Sequence, residues 1–227
     1  MSKIAETYFH LKVNVEKEKL YELKEYLEYV AAISAKEHFG FEVDIEILVE
    51  EGSIKGWLKV AGILYAGVAA YGSFRSGIDY LVKDGRGFSD YVIERLHTDT
   101  NLPDESFYRT ERRLGTPGRI KRLYPKLDEL SELLEADYMD SAKAQYEVVQ
   151  PGITRILEDL DTPEDRQMFL DTIPRSVIEH LPQPLPEPSK EMTISYVIPR
   201  EDEIWSFSSE KDLLEKYQTP PRLPLLK

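Results

Sequence analysis

Residues 53–82, Ser-Ile-Lys-Gly-Trp-Leu-Lys-Val-Ala-Gly-Ile-Leu-Tyr-Ala-Gly-Val-Ala-Ala-Tyr-Gly-Ser-Phe-Arg-Ser-Gly-Ile-Asp-Tyr-Leu-Val, form the apolar centre of the chain. From Trp57 to Phe74 the only charge is Lys59. As a helix this run would reach about 27 Å at roughly 1.5 Å per residue, close to a bilayer core. Four alanines and three glycines keep it weakly hydrophobic. Basic residues stand on both sides, Lys55 before and Arg75, Lys83 and Arg86 after, so charge gives no membrane orientation.

The glycines at 62, 67, 72 and 77 are five residues apart, about 500° of helical turn, and cannot share a face. What lines up on a helix is Gly62, Ala66 and Ala70 in one four-residue series and Ala69, Ser73 and Gly77 in another, backed by Leu64, Tyr71 and Ile78. Such a seam of small residues lets a second backbone approach closely. The expectation is one central apolar helix, about 53–84, inside a protein core. A membrane segment over 53–82 is the alternative.

On the N-terminal side, Phe9, Leu11, Val13 and Val15 alternate with polar residues, the period of a strand with one buried face. Leu20, Leu23, Leu27 and Val30 follow at helical spacing, and Val43, Ile45, Ile47 and Val49 alternate again. The opening reads strand, helix, strand; if its two strands were parallel neighbours, the crossover would be right-handed. Downstream, 88–97 and 104–114 read as helices. Gly115 stops the second, and Thr116-Pro117 starts another, a device repeated at Thr162-Pro163.

The prolines at 182, 184, 186 and 188 predict an extended linker. Beyond it, 192–198 and 204–208 read as a hairpin that completes the N-terminal sheet, ahead of a proline-containing tail. The fold class is α+β: an N-terminal strand-helix-strand unit, a largely helical middle and a C-terminal hairpin. The expected divisions are a body over 1–181, a linker over 182–190, and a hairpin and tail over 191–227.

The net charge of −13 opposes general binding to nucleic-acid phosphates. Absence of cysteine removes disulfides, thiolate metal sites and thiol nucleophiles, and suits a cytoplasmic protein. The N-terminus has neither a secretory nor a transit pattern. Glu94 and His97 form a single Glu-x-x-His step where a di-iron bundle needs two, and the glycines at 72–77 and 85–87 lack a P-loop ending. No catalytic residue, metal or cofactor is expected.

The charge distribution is more telling. Between Phe107 and Lys126 there are seven basic residues, among them Arg109, Arg112, Arg113, Arg119, Lys121 and Arg122, against one acid; this +6 leaves −19 for the rest of the chain. As a basic helix pair over about 104–136 it superficially resembles a helix-turn-helix, although Pro125 falls in the second helix. Charge complementarity favours an acidic protein surface, such as Glu42, Asp44, Glu46, Glu50 and Glu51 of this chain or of another copy. The expected function is a non-enzymatic interaction or assembly component with a protein partner or a homo-oligomer. A membrane-associated component and a local nucleic-acid binder are the alternatives.

Overall fold

The computed structural model describes residues 1–69, 73–181, 183–188, 200, 202–221 and 223. The chain divides into two compact units, each discontinuous in sequence: Met1–Ser2, Ile63–Tyr80 and Gly115–Ser195, and Lys3–Gly62, Leu81–Leu114 and Tyr196–Lys227.

The second unit is built on a five-stranded antiparallel sheet. Its strands are β1 (Ser2–Asn14), β2 (Asp44–Glu50), β3 (Ser53–Gly62), β4 (Phe107–Leu114) and β5 (Glu203–Ser209), in the order β4-β1-β3-β2-β5. With α1 (Lys17–His38) and α3 (Phe74–Thr100), the chain order of the first four strands is that of a split β-α-β unit. The strand-helix-strand opening is present. Its two strands are not neighbours, because β3 lies between them and pairs with β2 across a tight turn at Gly52, whose φ is +95°.

The period-2 patterns bury one face. Leu11, Phe9 and Ala5 of β1 and Ile45, Ile47 and Val49 of β2 are at most 1% exposed, and the α1 leucines at 20, 23 and 27 are fully buried. The helices cover this face: Thr7 of β1 hydrogen-bonds Ser89 of α3 at 2.9 Å, and Ser34 of α1 donates to the Phe88 carbonyl at 3.2 Å. The opposite face carries cross-strand ion pairs, including Glu46 with Lys59 at 2.9 Å and Glu50 with Lys55 at 3.2 Å. β5 pairs antiparallel with β2, so residues 204–208 do extend the N-terminal sheet; their proposed hairpin partner, 192–198, lies outside the described residues. α8 (Glu210–Lys216) follows β5 and packs on α1.

The segment read as one central helix is three elements. Ser53–Gly62 is strand β3, Leu64–Ala69 is the short helix α2, and helix α3 begins at Phe74. Lys55 and Lys59 decide the first part, since alternation turns both toward β2 carboxylates while Ile54, Gly56, Leu58 and Val60 are buried. The small residues do mark close approaches, but separate ones. A β-carbon on Gly62 would lie 2.9 Å from Ile4 Cδ1, and one on Gly77 would lie 2.9 Å from the Val68 backbone of α2.

The first unit is helical: α2, the start of α3, α4 (Thr116–Glu135), α5 (Met139–Asp159), α6 (Pro163–Leu170) and α7 (Arg175–Ile178). Thr162 caps α6 as its sequence predicts, accepting from the Asp165 amide at 3.2 Å. At α4 the cap is one residue earlier than expected: Gly115 is the N-cap and Thr116 is already helical and buried. Pro125 is carried within α4.

Asp165, 1% exposed, accepts from the amides of Leu64 and Tyr65 at 3.1 and 2.7 Å and so caps the start of α2. Burial raises its pKa, and the hydrogen bonds only partly offset this. Asp165→Ala orphans both amides and should lower the helical unit's stability by about 2 kcal/mol, measured as an earlier urea midpoint. Asp165→Asn, which keeps one acceptor, should cost less.

Candidate interaction groove

The six basic residues singled out in the sequence do not form a helix pair. Residues 107–114 are edge strand β4, so Arg109, Arg112 and Arg113 stand on the sheet unit, whereas Arg119, Lys121 and Arg122 stand on α4 of the helical unit. β4 is a strand because it completes the β1 ladder, pairing Glu6 with Arg113, Tyr8 with Glu111 and Phe9 with Thr110. Long charged side chains suit a sheet edge. The helix-turn-helix likeness ends there.

The strand arginines are neutralised within their own unit. Arg109 pairs with Glu111, Arg112 with Asp90 of α3, and Arg113 with Glu6 at 2.7 Å and Glu111 at 2.6 Å. Burial of Glu6 works against its ionisation, but Lys3 and Arg113 overcome this and hold its pKa below the ordinary value. Three of the five acids expected to meet the basic patch are engaged elsewhere: Glu42 with Lys211 at 2.6 Å, and Glu46 and Glu50 with the β3 lysines. Aromatic residues near the arginines also have local roles, with Phe107 stacked on His97 at 3.6 Å between centroids and Tyr124 buried beneath Arg75.

On α4 the balance is different. Lys121 pairs with Asp79 at 2.5 Å, and Arg119 with the buried Asp159 of α5. Arg122 and Lys126, joined by Arg155 of α5, make no ion pair among the described residues. These cations and Arg119 line a groove of about 170 Å³ between the two helices, with Leu123, Val148, Gly152 and Ile156 as its apolar part. Gly152 keeps the helices close there, since a β-carbon on it would lie 2.9 Å from Leu123 Cδ1.

The groove is therefore lined by four cations and no carboxylate, and of the four only Arg119 has an ion-pair partner among the described residues, Asp159. Partial burial, then the charges of Arg155 and Arg122, lower the Arg119 pKa below the usual guanidinium range. A like-charged cluster of this kind is stabilised by any anion that enters it, most of all by a carboxylate or phosphate that the guanidinium forks can grip. The sequence pointed to Arg119, Lys121 and Arg122. It did not reveal Arg155, because that residue lies 33 positions after Arg122 and is brought back by the α4–α5 hairpin.

The other candidates take structural roles. Of the small-residue seam, Gly62 ends β3, Ala66 and Ala69 are in α2, Ser73 precedes α3, Gly77 is inside it, and Ala70 is outside the described residues. Gly85 and Gly87 are in α3 and face Ala5 and His38, an arrangement for helix packing rather than a phosphate loop. Among the described residues no helix is long and apolar enough to cross a membrane. Compared with protein-family models, with curated proteins and with solved structures, the chain matches none.

Proposed function

We propose that the chain is a non-enzymatic interaction or assembly protein whose groove between α4 and α5 docks an acidic segment of a protein partner. One observation carries this reading: Arg122, Lys126 and Arg155 converge there without an ion-pair partner among the described residues, while each strand arginine is paired at home. Exposed cations are usually dispersed or paired, because like charges brought together destabilise a fold. Val148, 53% exposed at the groove, adds apolar surface for the non-ionic part of a contact.

A fluorescein-labelled oligoglutamate peptide tests this. It should bind with an affinity that falls as salt rises, and Arg122→Ala with Arg155→Ala should weaken binding at least tenfold, equivalent to about 1.4 kcal/mol. Arg109→Ala, on β4, should leave binding unchanged. Absence of binding, or equal loss with Arg109→Ala, would overturn the proposal.

A further inference from the structure

We infer that the acidic segment is the other end of the same helix in a second copy of this chain, the two copies pairing antiparallel across α4. This rests on the groove reading above and names its partner. The charges of α4 are fully segregated: Arg119, Lys121, Arg122 and Lys126 precede Asp128, Glu129, Glu132 and Glu135, with no exception.

Folding accounts for three of these charges, Arg119 with Asp159, Lys121 with Asp79 and Asp128 with Arg75 at 2.5 Å, and leaves Arg122, Lys126, Glu129, Glu132 and Glu135 without an ion pair among the described residues. A helix dipole favours acids in the first turn and bases in the last, and α4 has neither. Arg122 and Lys126 are also like charges at i,i+4, as are Asp128 and Glu132, a spacing that costs each pair a few tenths of a kcal/mol. An arrangement that opposes its own helix points to a role outside it.

The same layout suits a two-fold axis. In an antiparallel pair centred between Lys126 and Glu129, Arg122 of each copy faces Glu132 of the other and Lys126 faces Glu129, so each contact occurs twice. All four residues are exposed and lie within about 120° of helical arc at roughly 100° per residue. Glu129 and Glu132 have no ion pair among the described residues; Glu129 accepts only from Gln145, at 2.7 Å. Pro125 and the half-buried Leu133 fall on the same arc and supply apolar contact. The charge of −13 on each copy does not forbid the pairing, because screening over about 8 Å at physiological salt leaves contact charges to decide.

Charge reversal separates this from a general acidic partner. Sedimentation equilibrium of the full chain should show dimers that dissociate as salt rises. R122E/K126E and E129K/E132K should each associate at least tenfold more weakly than wild type, with unchanged circular dichroism. An equimolar mixture of the two variants should recover association as a heterodimer, since positions 122, 126, 129 and 132 are then all acidic on one copy and all basic on the other. A wild type that stays monomeric, or a mixture that fails to associate, overturns the inference. If the monomer still binds the oligoglutamate peptide, the groove reading survives; if it binds none, both fall.

Discussion

Replacing Gly56 with alanine is expected to destabilise the sheet unit by about 3 kcal/mol, at the upper end of the usual cost of overpacking a core. Gly56 lies in β3 opposite Val49 of β2, and the fully buried ring of Phe9, from β1, occupies the space where its β-carbon would go. The ring cannot swing aside at little cost, because the side chains around it are close-packed. The effect would appear as a lower urea midpoint with unchanged slope. Phe9→Leu alone should cost about 1–2 kcal/mol through lost apolar contact. Combined with Gly56→Ala it should cost clearly less than the two separately, because the shortened side chain vacates the site. Strict additivity would show that Phe9 and Gly56 are not in contact.

The second large effect concerns Glu28 of α1, a carboxylate 2% exposed. Burial alone would raise its pKa, but hydrogen bonds from Tyr217, Ser206, Lys216 and Lys24 outweigh that and bring it down to about 2. Tyr217 and Lys216 donate at 2.5 and 3.0 Å, so this one side chain ties α8 and the residue after it to α1. The folded-state pKa is below the ordinary 4.5, so the ionised form is stabilised by folding. That stabilisation is complete above pH 4.5 and is lost as pH falls toward 2. Its size is roughly 2–3 kcal/mol after allowing for the half-exposed Lys216. Glu28→Gln should therefore cost roughly that amount at pH 7 and flatten the stability profile between pH 4.5 and 2. An unchanged acid limb in the variant would show that other carboxylates set it.

Both effects arise in parts of the sequence that read differently. Glu28 is one of many glutamates on α1, and its amphipathic pattern shows only that the helix has a polar side. Apart from Lys24, one turn earlier on the same helix, its partners come from residues 206–217, about 180 positions away, so local pattern does not single it out for burial. Gly56 sits where Ile54, Gly56, Leu58 and Val60 alternate with Lys55, Trp57 and Lys59, a strand period that the apolar run after it masks. Length favoured a helix and the lysine period favoured a strand. The lysines prevailed because β2 places Glu46 and Glu50 opposite them.

The candidate groove divides in the same way. The excess of arginine and lysine over 107–126 is a property of composition and needed no structure to be seen. Which of those cations is left over is a matter of neighbours: β4 delivers Arg112 to Asp90 and Arg113 to Glu6, whereas the hairpin of α4 and α5 adds Arg155 to Arg122 and Lys126 with no acid to match.

By itself the sequence determined the α+β class, the first strand, the first helix and the second strand, the Thr162 cap and the segregation of charge along α4. Each of these is a periodicity or a local rule, carried by side chains within a few residues of one another. The tertiary structure alone decided that 53–62 and 107–114 are strands, that β3 separates β1 from β2, and which cations remain unpaired. Those outcomes depend on ladder partners and counter-charges distant along the chain, which local pattern does not encode.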